Sequence, residues 1–209
     1  MGESAPTVYV VDDDPDVLKA IERLLESIGL NVATFSSPHR FLEEYDRYAP
    51  GCLVLDLALP GLNGLDVQRL LEQQASVLPI VFLTGRGDIA ASVQAMKHGA
   101  TDFLTKPVDD TALLAAVHEA LARDRMLRPA RQERERIAKC LALLTGRERQ
   151  VLELIVAGRL NKQIAAELGT TEKTIKFHRG NLMRKMGVRV VADLVKLAER
   201  AGVGSTPRT

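Results

Sequence analysis

Hydrophobic positions in the first 120 residues follow two alternating patterns. Short runs with almost no polar interruption, such as Thr7–Val11 and Ile80–Leu83, predict strands, and such runs are typical of a parallel sheet covered by helices on both faces. Between them, apolar residues such as Val17, Ile21 and Leu24 recur with the period of a helix. The predicted strands are Thr7–Val11, Val32–Phe35, Cys52–Leu55, Ile80–Leu83 and Asp102–Thr105.

The first helix has recognisable ends. Asp14 is a suitable N-cap, Pro15 suits the first helical position, and Gly29 suits the position after the last turn. Five strand–helix units in about 120 residues predict an α/β fold with a doubly wound, five-stranded parallel sheet of the flavodoxin-like kind. Function is then expected at the carboxyl ends of the strands.

The last third of the chain carries only helical signals. Thr145 and Glu148 form a capping box, and Asn161 and Thr171 are suitable N-caps for the next two helices. Two short helices joined by a glycine turn predict a helix-turn-helix in a small all-α domain. The predicted helices cover residues 145–157, 161–168, 171–186 and 190–201.

The connection between the halves is also helical. Thr111–Leu127 has the pattern of a packed helix, and residues 130–144 are helical again, with Glu135 and Lys139 at an i,i+4 spacing. Pro129 predicts a break between them, because a proline inside a helix removes a backbone hydrogen bond. The predicted organisation is an N-terminal domain over 1–125, a short, stiff helical linker over 126–143 and a helix-turn-helix domain over 144–209.

The net charge of +1 conceals a division of the chain. Residues 1–120 hold 8 Lys and Arg against 18 Asp and Glu, a net charge of −10, whereas residues 121–209 carry +11. An acidic half suits cations or phosphoryl chemistry, and a basic half suits a polyanion. Early acidic residues and the lack of a long apolar run exclude a signal peptide and a membrane span, and Cys52 and Cys140 have no metal-type spacing, so we expect a cytoplasmic protein with reduced thiols.

Polar residues follow the predicted strands at their carboxyl ends. Asp12 and Asp13 follow the first strand, Asp56 the third, Thr84 the fourth and Lys106 the fifth. Taken alone, the aspartates are explained as cap or turn residues, Thr84 as a structural residue and Lys106 as part of a Lys-Pro turn. Because adjacent strands lie about 4.8 Å apart, however, the five side chains should meet at one edge. Clustered carboxylates suit Mg²⁺, and beside a metal Asp56 can act as a nucleophile toward phosphorus.

Four segments of the first half carry a family resemblance: VYVVDDDPDV, LDLALPGLNGLDV, VFLTGRGD and TDFLTKPV. They are similar to the receiver domain of two-component response regulators over residues 6–122. The resemblance implies Mg²⁺ as cofactor, a sensor histidine kinase as partner and Asp56 as phosphoacceptor. It implies Asp12 (through water), Asp13, Asp56 and the Ala58 carbonyl as metal ligands, Thr84, Phe103 and Lys106 as phosphoryl-binding and switch residues, and a cis bond before Pro107.

The third helix of the last third has one apolar and one cationic face. Ile175, Leu182 and Met186 fall together at 100° per residue and are predicted to be core. Phe177 lies on the cationic face, where it is expected to contact either a thymine methyl group or sugar of the DNA, or a neighbouring helix or dimer partner. Phosphate contacts are expected from Lys162 and Lys185. The full set of predicted DNA contacts is Lys162, Thr171, Lys173, Thr174, Lys176, Phe177, His178, Arg179, Asn181, Arg184 and Lys185.

The segment LTGRERQVLELIVAGRLNKQIAAELGTTEKTIKFHRGNLMRKMGV resembles the LuxR-type helix-turn-helix, across residues 144–200. With the receiver, it implies a response regulator of the FixJ/NarL type. Such a transcription regulator is phosphorylated by its kinase, forms a homodimer and binds double-stranded promoter DNA, with RNA polymerase as a further partner. It is not an enzyme beyond its own phosphoryl transfer and dephosphorylation.

The alternative function is a Mg²⁺-dependent phosphotransfer or phosphatase enzyme of the aspartyl-phosphate type. Such a phosphatase needs a second carboxylate two positions after its nucleophile, where this chain has Ala58. Relatives of the receiver often carry Met or a polar side chain at this position, which lines the path of the attacking water. The lifetime of the phosphoryl group therefore does not follow from the sequence.

Overall fold

A computed structural model describes residues 5–74, 76, 78–85 and 89–203, with the backbone alone for residues 89–92. The outer ends of both predicted domains, 1–4 and 204–209, lie outside the described residues. The chain divides into two compact units, residues 1–129 and residues 130–209.

The first unit contains a five-stranded parallel sheet in the order β2-β1-β3-β4-β5. The prediction of a doubly wound sheet is confirmed; β2 and β4 are each one residue longer at one end than expected, and β3 is one residue longer at both ends. The strand order reverses between β1 and β3, and this point of an α/β sheet is where ligands bind. The strands are β1 Thr7–Val11, β2 Asn31–Phe35, β3 Gly51–Asp56, β4 Ile80–Thr84 and β5 Asp102–Thr105.

Helices cover both faces of the sheet because successive strand residues point to opposite sides. Val8 and Val10 of β1 are buried in the cluster formed with the first and fifth helices, and Tyr9 and Val11 in the cluster on the other face. Asp14 caps the first helix as predicted, since its Oδ1 accepts from the Asp16 N–H at 2.8 Å. The helices of this unit are α1 Pro15–Ser27, α2 Pro38–Glu44, α3 Gly64–Gln73, α4 Ile89–Lys97 and the first part of α5 Asp110–Ala142.

Helix α5 continues through Pro129, so the predicted break at this residue is wrong. Pro129 has no N–H to donate to the carbonyl of Arg125, but both residues are exposed and water can satisfy that carbonyl. The helix is held on each side of the proline, since Leu113 is buried in the first unit and Ile137 in the second. The predicted linker over 126–143 therefore lies within the last part of α5 and the residue that follows it.

The second unit is entirely helical in its described residues. Its core combines Ile137 of α5 with buried residues of the four helices that follow. The predicted capping box is present, because Glu148 Oε2 accepts from the Thr145 N–H at 2.9 Å and Thr145 Oγ1 accepts from the Glu148 N–H at 3.2 Å. The helices are α6 Gly146–Val156, α7 Asn161–Glu167, α8 Glu172–Lys185 and α9 Val191–Arg200.

The predicted N-cap of α7 is wrong. Leu160 is the N-cap and Asn161 is the first helical residue. Oε1 of Gln163 accepts from the Leu160 N–H at 2.8 Å, and Oδ1 of Asn161 accepts from Arg179 Nη1 at 2.6 Å. The Asn161 side chain is therefore used to join α7 to α8 and not to cap its own helix.

Two further expectations concern the chain as a whole. Both cysteines are free thiols, and burial, followed by the charge of Asp124, raises the pKa of Cys52 to about 12. Among the described residues, no helix has the length and apolar character that a membrane span needs.

Candidate functional site

Three aspartates meet at the carboxyl edge of the sheet, where the strand order reverses. Asp12 and Asp13 follow β1 and Asp56 ends β3, and each offers a carboxylate oxygen within 4.8 Å of those of the other two. Asp12 and Asp56 are buried, whereas Asp13 is exposed. The structure thus brings together the three acidic side chains that the sequence places at strand ends, in a pocket that remains open to water.

Lys106 supplies the positive charge of this pocket. Its Nζ lies 2.6 Å from Asp12 Oδ2 and 3.2 Å from Asp56 Oδ2. The backbone N–H of Lys106 donates to the Thr84 carbonyl at 2.6 Å. Burial lowers the pKa of Lys106, but the hydrogen bond and charge of Asp12, together with Asp56, outweigh this and leave the pKa raised. The lysine therefore stays cationic at neutral pH.

Asp12 shows the opposite balance. Burial raises its pKa more than the hydrogen bonds from Lys106 and from the Asp14 N–H lower it. A buried carboxylate of this kind gains from a further positive charge, because the single lysine does not offset its desolvation.

The acidic pocket fits a magnesium ion. Oδ1 of Asp56 is buried and accepts no hydrogen bond from the described residues, which leaves a desolvated lone pair without a donor. Mg²⁺ prefers oxygen ligands, uses one or two carboxylates and keeps several waters. Asp12, Asp13 and Asp56 offer only oxygen atoms, and the exposed Asp13 leaves room for water.

The predicted switch residues occupy the neighbouring strands. Thr84 is buried at the end of β4, and its hydroxyl donates to the adjacent Gly85 carbonyl at 3.1 Å. Phe103 of β5 is partly buried, and its ring centroid lies 6.2 Å from that of Phe82. The Thr84 hydroxyl and the Phe103 ring therefore lie on β4 and β5, the two strands that follow β3 in the sheet, beside the acidic pocket.

Three other positions complete the set implied by the resemblance. Ala58 is exposed, two residues after Asp56. The peptide bond between Lys106 and Pro107 is cis, as the resemblance implies. Residues 86–88 of the VFLTGRGD motif lie outside the described residues.

One residue that supports the site was not singled out from the sequence. Gly64 begins α3 directly against the end of β3: a Cβ there would lie 2.7 Å from the Asp56 carbonyl oxygen and 3.0 Å from both Leu57 Cα and Phe82 Cε1. The local signal was Asn63, which caps α3 by accepting from the Asp66 N–H at 2.9 Å. Only a residue without a side chain allows α3 to approach Asp56 this closely.

Helix α8 presents the predicted cationic face. Ile175, Leu182 and Met186 are fully buried, which confirms the predicted core face. Phe177 is 64% exposed and touches only the neighbouring ring of His178 among the aromatic residues described, so it is not packed into the core of this chain. Of the predicted contacts, Lys162, Thr171, Lys173, Lys176, Phe177 and Arg184 are exposed, and Thr174, His178, Arg179, Asn181 and Lys185 are partly buried.

Three cationic side chains of this face have partners within the chain. Arg179 bonds to Asn161, as described above, and Arg184 Nη2 donates to Asn181 Oδ1 at 2.9 Å. Lys185 Nζ donates to Glu148 Oε2 at 2.7 Å. These three groups are held in place before any ligand arrives.

Glu148 is buried, and its pKa is lowered from the ordinary 4.5 by the hydrogen bond from Lys185 first and then by the Thr145 N–H. Its contribution to stability is therefore fully present above pH 4.5 and is lost as the pH falls through the folded-state pKa. At about pH 6 we expect the urea midpoint of unfolding to be higher for wild type than for Glu148→Gln. The difference between the two midpoints should shrink as the solution becomes acidic. Methyl NMR signals of Ile155, buried in this unit, report the transition; a pH-independent difference would contradict the assignment.

Comparisons with known proteins agree with both halves of this description. The family "Response regulator receiver domain" matches residues 8–118, and "Bacterial regulatory proteins, luxR family" matches residues 142–198. The response regulator protein TodT of Pseudomonas putida is 44% identical over 96% of this chain and 88% of its own length. The transcriptional regulatory protein FixJ of Azorhizobium caulinodans is 41% identical over 97% of this chain and 96% of its own.

The same conclusion follows from a solved structure. The response regulator StyR matches with a TM-score of 0.73 and 45% identity, covering 94% of this chain and 100% of that one. A receiver domain and a LuxR-type domain occur here in one chain, and the similarity to these relatives extends over at least 94% of it. The chain therefore belongs to the two-component response regulators with a LuxR-type DNA-binding domain, and it is a phosphorylation-dependent transcription regulator and not a classical enzyme.

Proposed function

We propose that Asp56 accepts a phosphoryl group from a sensor histidine kinase and that this modification controls binding of the C-terminal helices to promoter DNA. The carrying observation is the geometry of Asp56. One of its buried oxygens has no hydrogen-bond donor among the described residues, and the other lies 3.2 Å from the Lys106 ammonium. This is a carboxylate prepared for a phosphoryl ligand and a cation, whereas a structural aspartate would use both oxygens.

The chemistry requires few groups from the chain. A carboxylate oxygen of Asp56 forms a bond to phosphorus while the bond from phosphorus to the kinase histidine nitrogen breaks, and the electron pair stays on that nitrogen. Lys106 stabilises the phosphoryl oxygens as a point charge. Mg²⁺ held by Asp13, Asp56, the Ala58 carbonyl and, through water, Asp12 would neutralise charge on the phosphoryl oxygens. Water attack on the aspartyl phosphate would return the protein to its starting state.

Phosphorylation then biases a two-state element. The Thr84 hydroxyl donates only to its neighbouring carbonyl in the described structure, so it is free to turn toward a phosphoryl oxygen, and Phe103 follows from its partly buried position. The outcome is a homodimer that binds two DNA half-sites about one helical turn or a multiple apart. The protein would act in the cytoplasm, with RNA polymerase as a further partner.

DNA binding is assigned to the exposed face of α8. Lys173, Lys176 and Phe177 are exposed on one side of a helix whose other side is core, and Lys162 is exposed at the start of α7. A helix of this kind reads base edges in the major groove, whereas lysines at its margins position the protein on phosphates.

This docking makes a differential prediction for two lysines. Lys176→Ala is expected to weaken binding to a selected duplex by about 1–3 kcal/mol and to relax its sequence preference, as expected for loss of a base contact. Lys162→Ala should weaken binding to all duplexes alike and reduce the slope of log K against log salt by about 1. Fluorescence anisotropy across a salt series measures both. Two variants with wild-type affinity and slope would exclude this docking.

The proposed function as a whole is tested by the DNA that the full chain retains. Genomic fragments are incubated with the protein and Mg²⁺, with and without acetyl phosphate, and the bound fragments are sequenced. We expect the phosphodonor to increase occupancy at a limited set of sites that share two spaced half-sites. The same fragments at the same occupancy in both conditions would contradict control by phosphorylation.

A further inference from the structure

The C-terminal end of α8 is fastened to the point where α5 ends. Lys185, the last residue of α8, donates from Nζ to the carbonyl of Leu143 at 3.0 Å and to Glu148 Oε2 at 2.7 Å. Leu143 directly follows α5, and Glu148 lies in the first turn of α6. One ammonium group thus joins the DNA-contacting helix to the junction between α5 and α6.

The partner of Lys185 is an unusual carboxylate. The Glu148 side chain is 5% exposed, and it also accepts from the N–H and the hydroxyl of Thr145. Removing the ammonium leaves this carboxylate buried with a negative charge that only neutral donors balance, which is strongly unfavourable. The Lys185 side chain is 33% exposed, so its stem is also partly packed.

The last turns of α5 also lie near the same end of α8. Ile137 is buried in the core shared with Leu182 and Met186. Arg136 extends toward the turn after α8, because a Cβ at Gly187 would lie 3.8 Å from Arg136 Nη1. The end of α5 therefore shares a core with α8 and lies near the turn that follows it, and Lys185 adds hydrogen bonds at the same junction.

These contacts argue against the role that the sequence favours for Lys185. A lysine carries three N–H donors, and two of them are already used inside the chain. These two bonds fix the position of the ammonium group inside the chain, and a move of Lys185 toward a phosphate would break its bonds to a buried carboxylate and a carbonyl. A surface phosphate contact does not offset the free energy lost when those bonds break, because an exposed ion pair contributes about 1 kcal/mol or less.

We infer that Lys185 is a positioning residue, which sets the placement of α8 relative to the end of α5 through Leu143 and Glu148, and that it does not contact DNA phosphate. The inference rests on the proposed binding of duplex DNA by α8. Through one buried carboxylate, this contact lets the α5–α6 junction influence the placement of α8, the helix proposed to bind DNA. Sequence preference, more than general affinity for DNA, is the property that such a residue controls.

The test uses the full-length protein and two duplexes: one selected by the wild type from a random library, and a scrambled duplex of equal length. Lys185→Met, Glu148→Gln and the double variant are compared, with Lys162→Ala as the matched loss of one positive charge. Glutamine preserves the cap, because its amide oxygen still accepts from the Thr145 N–H. Lys185→Arg tests rescue by a side chain that keeps the charge and the donors.

We expect Lys185→Met and Glu148→Gln each to lower the ratio of selected to scrambled affinity by about tenfold, within the range of coupled neighbours. The double variant should lose no more than either single one, and the salt slope should equal that of wild type, with partial rescue by arginine. A slope reduced by about 1 in Lys185→Met, as for Lys162→Ala, would overturn the inference. So would an unchanged ratio in Glu148→Gln, or additive losses. Failure of the wild type to select any duplex would instead overturn the proposed function.

Discussion

Asp56→Asn is expected to abolish Mg²⁺-dependent labelling of the full chain by acetyl phosphate or by a cognate kinase. Asparagine has nearly the shape of aspartate but offers a neutral amide in place of the nucleophilic carboxylate, and it is a poorer ligand for a hard cation. Loss should be complete within the detection limit, because the nearby acids, Asp12 and Asp13, lie at the end of a different strand. Retention of the alkali-labile phosphoryl group on gels measures the effect.

The matched control is Asp16→Asn, at the same edge of the sheet. The Asp16 side chain is 92% exposed and stands in the first turn of α1, so this variant makes the same change of charge outside the pocket. It should be labelled like wild type. Undiminished labelling of Asp56→Asn, or equal loss in both variants, would contradict the assignment of Asp56.

Gly64→Ala is expected to destabilise the receiver unit by about 1–3 kcal/mol, as overpacking of a close-packed site does. The new methyl group would meet the backbone of Asp56 and Leu57, which cannot turn away as a flexible side chain can. Relief of the contact displaces α3 or β3, so labelling of Asp56 should slow as well. Urea unfolding followed by tyrosine fluorescence reports this unit alone, because the chain has no Trp and its three tyrosines, Tyr9, Tyr45 and Tyr48, lie before residue 129.

Gly85→Ala provides the comparison for this change. Gly85 follows β4 near the same edge, and a Cβ added there meets no described atom within 4 Å. Its urea midpoint should stay close to that of wild type. Equal midpoints for Gly64→Ala and wild type would show that the approach of α3 to Asp56 is not as close as described.

The receiver half could be predicted from sequence because its information is local. Uninterrupted apolar runs identify β1 and β4, and the polar residues that follow strands must gather at one edge once the strands are parallel. Asp12, Asp56 and Lys106 could therefore be placed together although up to 94 positions separate them. The N-caps Asp14 and Thr171 were likewise predictable, since a cap depends on the next three residues.

The remaining features depend on tertiary contacts that carry no local signature. Glycine is needed at position 64 because Phe82 and the Asp56 backbone lie where its Cβ would be. The hydrogen bond of Lys185 to Glu148 joins residues 37 positions apart. Asn161 is of a residue type that caps helices, but its side-chain oxygen accepts a hydrogen bond from Arg179 of another helix. The effect of Pro129 on α5 depends on whether water can reach the Arg125 carbonyl, and the exposure of that carbonyl cannot be predicted from the sequence pattern.

Burial of Ile137 decides how the DNA-binding half can be studied in isolation. A fragment that starts at Leu144, where the family resemblance begins, lacks the buried Ile137 side chain of its core and the Leu143 carbonyl that accepts from Lys185. Removal of a buried isoleucine leaves a void that costs about 2–5 kcal/mol even when only its outer atoms are lost. A fragment that starts near Ala130 keeps both groups, and the shorter one should melt at a lower temperature and underestimate how tightly the intact protein holds its operator.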